Sequence, residues 1–282
     1  METTYICAEC LVRQAREACE SAFEEWESRY ETILWVVDKL QNSFQGATPA
    51  LLGTDIHRMI KNASGRDPYL EFKRKSNGIA RQVLQEISPE VKTLKEAILV
   101  SITGNAMDAA IAGYTDFEAS ENLLQLIRQG LKTGLAIDES KKFEEVLHEA
   151  DSVLFLTDNC GEIVFDTLLL RRLVEMGKTL VISPKEEFIL NDATVEDVIE
   201  MGLDEYGVVI PHTRDCMGLT LQTMAEGFID VWDNSDLIIA KGMSYYQSLF
   251  GVRENIAFLL RANCEPVARS LGVKKGDNVL LF

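Results

Sequence analysis

Short apolar runs recur through the second half of this chain, at 153–156, 180–182, 208–210, 237–240 and 256–260, with helical patterns between them. Each is made of Val, Ile, Leu, Phe or Ala and is bounded by polar residues, which is how a strand buried on both faces of a sheet reads. Strands that alternate with helices build βαβ units and a mainly parallel sheet. Parallel strands bring their carboxyl ends to one edge. A last run, 279–282, follows the turn-like cluster Lys275-Gly276-Asp277-Asn278 and is expected to pair as an edge hairpin. What stands just beyond each strand therefore decides what the chain can do.

Beyond the first run come Asp158, Asn159 and Gly161, then an apolar pattern at helical spacing over 163–176. Beyond the second, 184–190 leads to Asn191 and Asp192, with 193–202 helical. His212, Thr213, Arg214 and Asp215 follow the third, ahead of a helix expected from Leu219, and Lys241 and Gly242 follow the fourth. Open α/β folds bind ligands at this edge. Asp158 and Asn159 are hard oxygen donors suited to a divalent cation, and Gly161 lets the backbone turn tightly. Lys241 and Arg214 suit phosphate oxygens. Asp or Asn before a helix is also an ordinary cap, but acidic positions meeting a lysine and an arginine on one edge are more specific than any cap. Cys160 reads as a small residue fitted to a tight turn, or as a thiol whose pKa the following helix N-terminus lowers. The chain has no Gly-x-Gly-x-x-Gly, Walker lysine loop, Gly-x-Ser-x-Gly or His-Glu-x-x-His. Nucleotide cofactors, serine hydrolysis and zinc proteolysis lose ground accordingly.

The first part of the chain, 10–102, is helical in pattern. Leu11, Ala15, Ala18, Ala22 and Phe23 mark the buried face of one helix, and Trp26, Tyr30, Ile33, Leu34, Val37 and Leu40 that of the next. Pro49 opens a third through Leu51, Leu52, Ile56 and Ile60. A loop at 62–68 precedes a helix over 69–87, and Pro89 is expected to start one more through Val91, Leu94, Ala97 and Val100. An all-helical N-terminal domain over 1–102 and an α/β domain over 103–282 are expected. Asn105 and Asp108 follow, three apart and so on one helical face, either as exposed polar groups of a glycine-tolerant helix turn or as a second set of oxygens toward Asp158. Cys7-Ala-Glu-Cys10 supplies only two of the four ligands a structural zinc wants, which leaves buried small residues, a redox pair or a metal open.

The formal charge of −17 argues against nucleic acid and anionic membranes as partners. The six cysteines in 282 residues do not make a disulfide scaffold. The N-terminus shows no basic segment followed by an apolar one, and no apolar run approaches the ~20 residues of a membrane span. A cytoplasmic location is expected.

Asp158-Asn159-Cys160-Gly161-Glu162, Asn191-Asp192-Ala193-Thr194 with Glu196-Asp197, and Lys241-Gly242-Met243 together resemble the damage-control phosphatase family. That group was long filed as a domain of unknown function and includes acidic-residue methyltransferase-like members. Cys7-x-x-Cys10, the Gly104-Asn105…Asp108 step and Cys264-Glu265-Pro266-Val267-Ala268 with Leu271-Gly272-Val273 are similar to its prokaryotic cysteine-motif branch. The resemblance covers nearly the whole chain in order. It implies a three-layer α/β/α sandwich with a mainly parallel sheet, plus an all-helical N-terminal domain. It also implies a divalent cation (Mn²⁺, Mg²⁺, Ni²⁺ or Co²⁺) held by Asp158, Asn159 and Asp192. The implied reaction is hydrolysis of phosphate monoesters of small, often damaged metabolites, such as sugar phosphates or nucleotide-related compounds.

In that reading Asp108 is the general base, Asn105 orients phosphate or water, and Lys241 stabilises charge on the phosphate. Arg214, Arg261, Gly161 and Glu162 join Lys241 in binding substrate. The chain departs from the family pattern at several positions: Tyr245 and Gln247 stand where an Asn and a Glu usually follow the Lys-Gly motif, Asn263 where a Lys precedes the C-terminal Cys, and Ala109-Ala110 where a Phe-Gly pair usually follows Asp108. They remove a charge pair, and Arg261 is expected to take over phosphate binding. An S-adenosylmethionine-dependent carboxyl methyltransferase is the alternative that the family naming suggests, although the glycine-rich first loop of such folds is missing. A metal-binding protein with weakened catalysis is another. The expected partner is a small phosphorylated metabolite, with no nucleic acid and no membrane. The oligomeric state stays open, a homo-oligomer included.

Overall fold

The computed structural model describes residues 1–107 and 116–282. Helices α1 (Tyr5–Ala22), α2 (Trp26–Ser43) and α3 (Pro49–Ser64) come first. Leu11, Ala15 and Ala18 meet Val36, Leu40, Leu52, Ile56 and Ile60 in an apolar cluster of their own. Pro49 takes the first turn of α3, where no backbone N–H is needed, and Gly65 ends that helix at φ 65°. Helix α2 departs from its expected face. It buries Thr32, Val36 and Leu40, whereas Trp26, Tyr30, Leu34 and Val37 are exposed. Trp26 and Tyr30 cover part of each other instead, stacked with ring centroids 4.8 Å apart. A helix packed along one side keeps its other side in water.

Helices α4 (Leu70–Ile87) and α5 (Leu94–Thr103) belong with the sheet. Ile79, Val83, Ile87, Ala97, Ile98 and Val100 share one continuous core with the strands, so the separate helical cluster ends at α3. Helix α5 does not start at Pro89, which sits in a 3-10 turn, Ser88–Glu90. It starts after Thr93, whose side chain accepts the Glu96 N–H at 3.2 Å while Glu96 accepts the Thr93 N–H at 2.8 Å. That reciprocal pair satisfies two otherwise unbonded donors, so it fixes the start. Asp108 and Ala109-Ala110 lie outside the described residues.

After α6 (Asp116–Thr133) come strands β1 (Ile137–Asp138), β2 (Ser152–Leu156), β3 (Thr179–Ser183), β4 (Val208–Val209), β5 (Leu237–Lys241), β6 (Ile256–Arg261) and β7 (Asn278–Leu281). They form one sheet in the order β1-β7-β6-β5-β2-β3-β4. Strands β2 to β6 are parallel. Strand β7 is antiparallel to β6 and parallel to β1. The last run is therefore not an edge hairpin: helix α12 (Glu265–Leu271) separates it from β6, and β1 covers its outer side.

Alternate residues point to opposite faces. Val153, Phe155, Ile182, Ile239 and Leu259 pack under α4 to α6, α7 (Ser140–Glu149), α8 (Glu162–Glu175) and α9 (Val195–Glu200). Leu154, Leu156, Ile238, Ala240 and Phe258 pack under α10 (Ile229–Asn234), α11 (Met243–Leu249) and α12. The result is a three-layer α/β/α sandwich. No helix begins at Leu219; the chain turns there, Thr220 N–H bonding the Thr223 hydroxyl at 2.9 Å, and reaches α10 through a 3-10 turn. From β2 the chain steps outward to β3 and β4, then returns to β5 on the other side of β2. That reversal opens a crevice at the carboxyl ends of β2 and β5. Among the described residues no helix is long and apolar enough to cross a membrane.

Candidate active site

Two loops are zipped together over this crevice. The Ala193 N–H donates to the Asp158 carbonyl at 2.8 Å, and the Cys160 N–H donates to the Asn191 carbonyl at 2.9 Å. Asn159 and Asp192 also pair as an isolated antiparallel bridge. The segment after β2 thus carries Asp158 and Asn159 against the segment after β3, which carries Asp192. All three line one cleft with Asn105, and both carboxylates are buried. Gly242 closes the arrangement at φ 85°: a Cβ there would stand 1.9 Å from Asp158 Oδ2. The main chain after β5 is pressed directly onto that carboxylate.

Burial pushes the Asp158 carboxyl up to about 8, with the negative charge of Asp192 adding to it and Lys185 and Lys241 opposing. The Asn105 amide donates to Asp158 Oδ2 at 2.9 Å and also to Glu162. Asn105 is oriented in turn by Asn263, whose amide reaches its Oδ1 at 2.7 Å and its carbonyl at 3.0 Å. One of the departures from the family pattern therefore supports the site. No three carboxylate, imidazole or thiol groups converge as a ready ligand set among the described residues. The donors suit a hard divalent ion that rests on two carboxylates and the Asn159 amide and completes its shell with water or substrate, which is how Mg²⁺-like ions are commonly held.

Lys241 sits beneath this group, fully buried. Its ammonium donates to Glu162 at 2.5 Å, Asp166 at 2.7 Å and the Ser101 carbonyl at 3.2 Å, so its three donors are spent. Burial would lower its pKa, but Asp166 and Glu162 carry it above the ordinary value. Burial pushes Glu162 up to about 8 against the pull of Lys241. Two acids share one base here.

A second buried lysine, Lys185, escaped the sequence reading. It donates to the Tyr245 hydroxyl at 2.7 Å and the Met217 carbonyl at 3.3 Å, and stands 3.0 Å from His212 Nε2 and 3.6 Å from Asp192 Oδ2. Burial first, then Lys185, drives His212 well below its usual pKa, so the imidazole is neutral. Its Nδ1–H donates to the Ser183 carbonyl at 2.9 Å, leaving Nε2 to accept. Tyr245, another departure from the family pattern, completes the network by donating to the Thr157 carbonyl at 3.0 Å. The available signal is Pro184-Lys185 directly after a strand, at the same sheet edge as Asp158.

Other expected contributors lie elsewhere. Arg214 is exposed and pairs with Glu187 at 2.7 Å, outside the cleft. Arg261 lines a different pocket and donates to Asn278 Oδ1 at 3.1 Å, because β6 points it toward β7. Gly161 and Glu162 are behind Asp158 and not in the cleft wall. Among the described residues the cations that do line it are Arg13, which pairs with Glu17 at 3.0 Å, and Lys275, both exposed. Cys160 is buried, and burial raises its thiol well above the usual value, so desolvation outweighs the helix N-terminus.

The model of the damage-control phosphatase ARMT1-like domain matches residues 3–279. A damage-control phosphatase of Pyrococcus horikoshii is 34% identical, over 100% of this chain and 98% of its own length. A damage-control phosphatase of Archaeoglobus fulgidus is 35% identical over 82% of this chain and 81% of its own. An uncharacterized protein of Methanocaldococcus jannaschii is 34% identical over 98% of this chain and 93% of its own. The crystal structure of a DUF89 family protein from Pyrococcus horikoshii superposes with a TM-score of 0.91 at 32% identity, covering 100% of this chain and 99% of that one. With a match that runs nearly end to end and a fold shared at that level, the chain belongs to the ARMT1-like damage-control phosphatase family.

Proposed function

We propose that this chain is a metal-dependent phosphomonoesterase of small phosphorylated metabolites, with Asp158, Asn159 and Asp192 holding the cation and metabolite repair as its role. The observation that carries the reading is the buried pair Asp158 and Asp192, tied face to face across two strand-to-helix loops. Like charges in a low dielectric either keep a proton or meet a cation. When bound, a divalent cation supplies charge neutralisation at a phosphate oxygen and a more acidic water.

The chain's own residues do the rest. Asn105, steadied by Asn263, holds the Asp158 carboxylate in one orientation. Lys241 acts from below as a positioning residue: it fixes Glu162, which fixes Asn105. Lys185 offsets the charge of Asp192 from the far side. Arg13 and Lys275, on the cleft wall, are the proposed partners of the substrate's anionic oxygens. Asp108, three residues beyond Asn105, is the proposed general base for the attacking water.

The test is phosphate release from a panel of monoesters by chelator-treated protein, with Mn²⁺, Mg²⁺, Ni²⁺ or Co²⁺ restored. Release only after restoration is expected, lost together with cation binding in Asp192→Ala. Full release in the presence of chelator would overturn the reading.

A further inference from the structure

A separate cavity of about 290 Å³ opens where the carboxyl end of α6 meets the loop between α12 and β7. Arg261, the last residue of β6, stands in its wall and is half-buried. A buried relay aims its guanidinium. Arg261 Nη1 donates to Asn278 Oδ1 at 3.1 Å, the Asn278 amide donates to the Thr103 hydroxyl at 2.9 Å, and that hydroxyl donates to the Leu99 carbonyl at 2.7 Å. Asn278 and Thr103 are both buried. Gly276 borders the other end of the group with backbone alone: a Cβ there would stand 3.4 Å from Nη2. The Gly276 N–H on the Ala262 carbonyl and the Ala262 N–H on the Asp277 carbonyl, each at 2.9 Å, tie that loop down.

The guanidinium is under-used. An arginine side chain carries five N–H donors, and among the described residues the bond to Asn278 is the one that this side chain makes. It joins no ion pair with them, in a chain that has 45 Asp and Glu. Burial lowers its pKa with Asp277 opposing, but Asp277 is turned to its own loop, where it accepts the Lys274 N–H at 2.8 Å. Nor does Arg261 cap α6: the Gly130 carbonyl there accepts the Gly134 N–H at 2.9 Å. A cation drawn partly out of water without a partner is unfavourable, so the arrangement suits an anion that arrives from solution.

The charge of the wall decides which anion. Arg261 and Lys275 against Asp277 leave one net positive charge, and the carboxyl end of α6 subtracts about half a charge. A carboxylate brings one negative charge, whereas a phosphate monoester brings about 1.5–2. The free edge of a guanidinium also matches the two oxygens of a carboxylate in a fork. Leu126, Leu135 and Ala136 line the pocket too, which suits a short hydrocarbon part. Lys275 is shared with the wall of the carboxylate cleft and Arg261 is not. We infer that this pocket binds a small monocarboxylic acid through Arg261, apart from the cleft and independently of the phosphomonoesterase reading.

The experiment titrates butyrate and, separately, inorganic phosphate into the chelator-treated full chain, followed by ligand-observed NMR. Without a cation the buried carboxylates of the cleft repel both anions. Saturable butyrate binding is expected, tighter than that of phosphate. It should weaken about tenfold in Arg261→Gln, which loses the charge-assisted fork, and stay unchanged in Arg13→Gln, whose cation lines the cleft. Ala136 is exposed on the pocket wall, so Ala136→Phe fills the space while the guanidinium and its relay stay in place. It should weaken binding by a similar factor, and it decides the matter if Arg261→Gln does not fold. No saturable butyrate binding, or binding undiminished in either folded variant, overturns the site. Binding lost in Arg13→Gln places the anion in the cleft and overturns it as well. Phosphate bound more tightly than butyrate, and lost with Arg261, overturns the carboxylate assignment.

Discussion

Gly242 and Lys241 are neighbours in the chain that serve Asp158 in opposite ways. At Gly242 the space a side chain would take is already filled by the carboxylate, and its φ of 85° disfavours any other residue. Gly242→Ala should therefore displace Asp158 and weaken Mn²⁺ binding at least tenfold by calorimetric titration; wild-type affinity would show that the loop yields. Lys241 instead neutralises what lies beneath. Removing its charge leaves Glu162 and Asp166 buried with no cation, a loss of about 3–5 kcal/mol. Lys241→Met should unfold at correspondingly lower denaturant, while the KM of the folded fraction changes little. A raised KM with unchanged stability would return Lys241 to direct phosphate binding.

The short helix α9 is small but sits at a junction. Its cap residue Thr194 follows Asp192 by two positions, and its hydroxyl donates to Asp197 at 2.7 Å. Asp197 also receives Lys73 from α4 at 3.3 Å, so one carboxylate ties the cap to a second helix. Loss of such a cap costs about 1 kcal/mol. Thr194→Ala should lower stability by about that much in urea and also weaken cation binding, because the loop that carries Asp192 loses its anchor; a stability loss with unaltered binding would confine the cap to folding. The capping pair at Thr93 and Glu96 shows what sequence offers and how it is missed. The signature stands in the text, Thr-x-x-Glu before an apolar run, but Pro89 four residues earlier drew the start to itself. The strands of the central sheet were legible because burial on both faces makes them continuously apolar. Strand β1 has two residues and no such run, so nothing announced it. Asp158, Asn159 and Asp192 were legible as polar residues at strand ends. Lys185 and the spent donors of Lys241 were not, since only the folded chain reveals which charges a lysine meets.

The pH response belongs to the protein as a whole. Asp158 holds its proton up to about 8 in the folded state against 3.8 for the ordinary group, and Glu162 behaves alike. A raised carboxyl pKa stabilises the fold fully below the ordinary value, and that contribution is lost as pH climbs from about 4 to about 8. The metal-free protein should then lose melting temperature from pH 6 to 8.5. A divalent cation that replaces the proton should restore it, so the gain on adding Mn²⁺ grows over the same range. Scanning calorimetry at both ends checks this, and Asp158→Asn should flatten the metal-free slope. An equal gain at pH 6 and 8.5 would place the titration elsewhere.

The division of the interior has a consequence for descent. Helices α1 to α3 keep an apolar cluster apart from the core shared by α4, α5 and the sheet, and α1 lends Ile6, Cys10, Arg13 and Gln14 to the wall of the carboxylate cleft. Substitutions that reshape this wall need not disturb the strands that aim Asp158 and Asp192. A lineage can therefore vary the outer wall of the cleft through its first helix while the loops that carry the two carboxylates pass down unaltered.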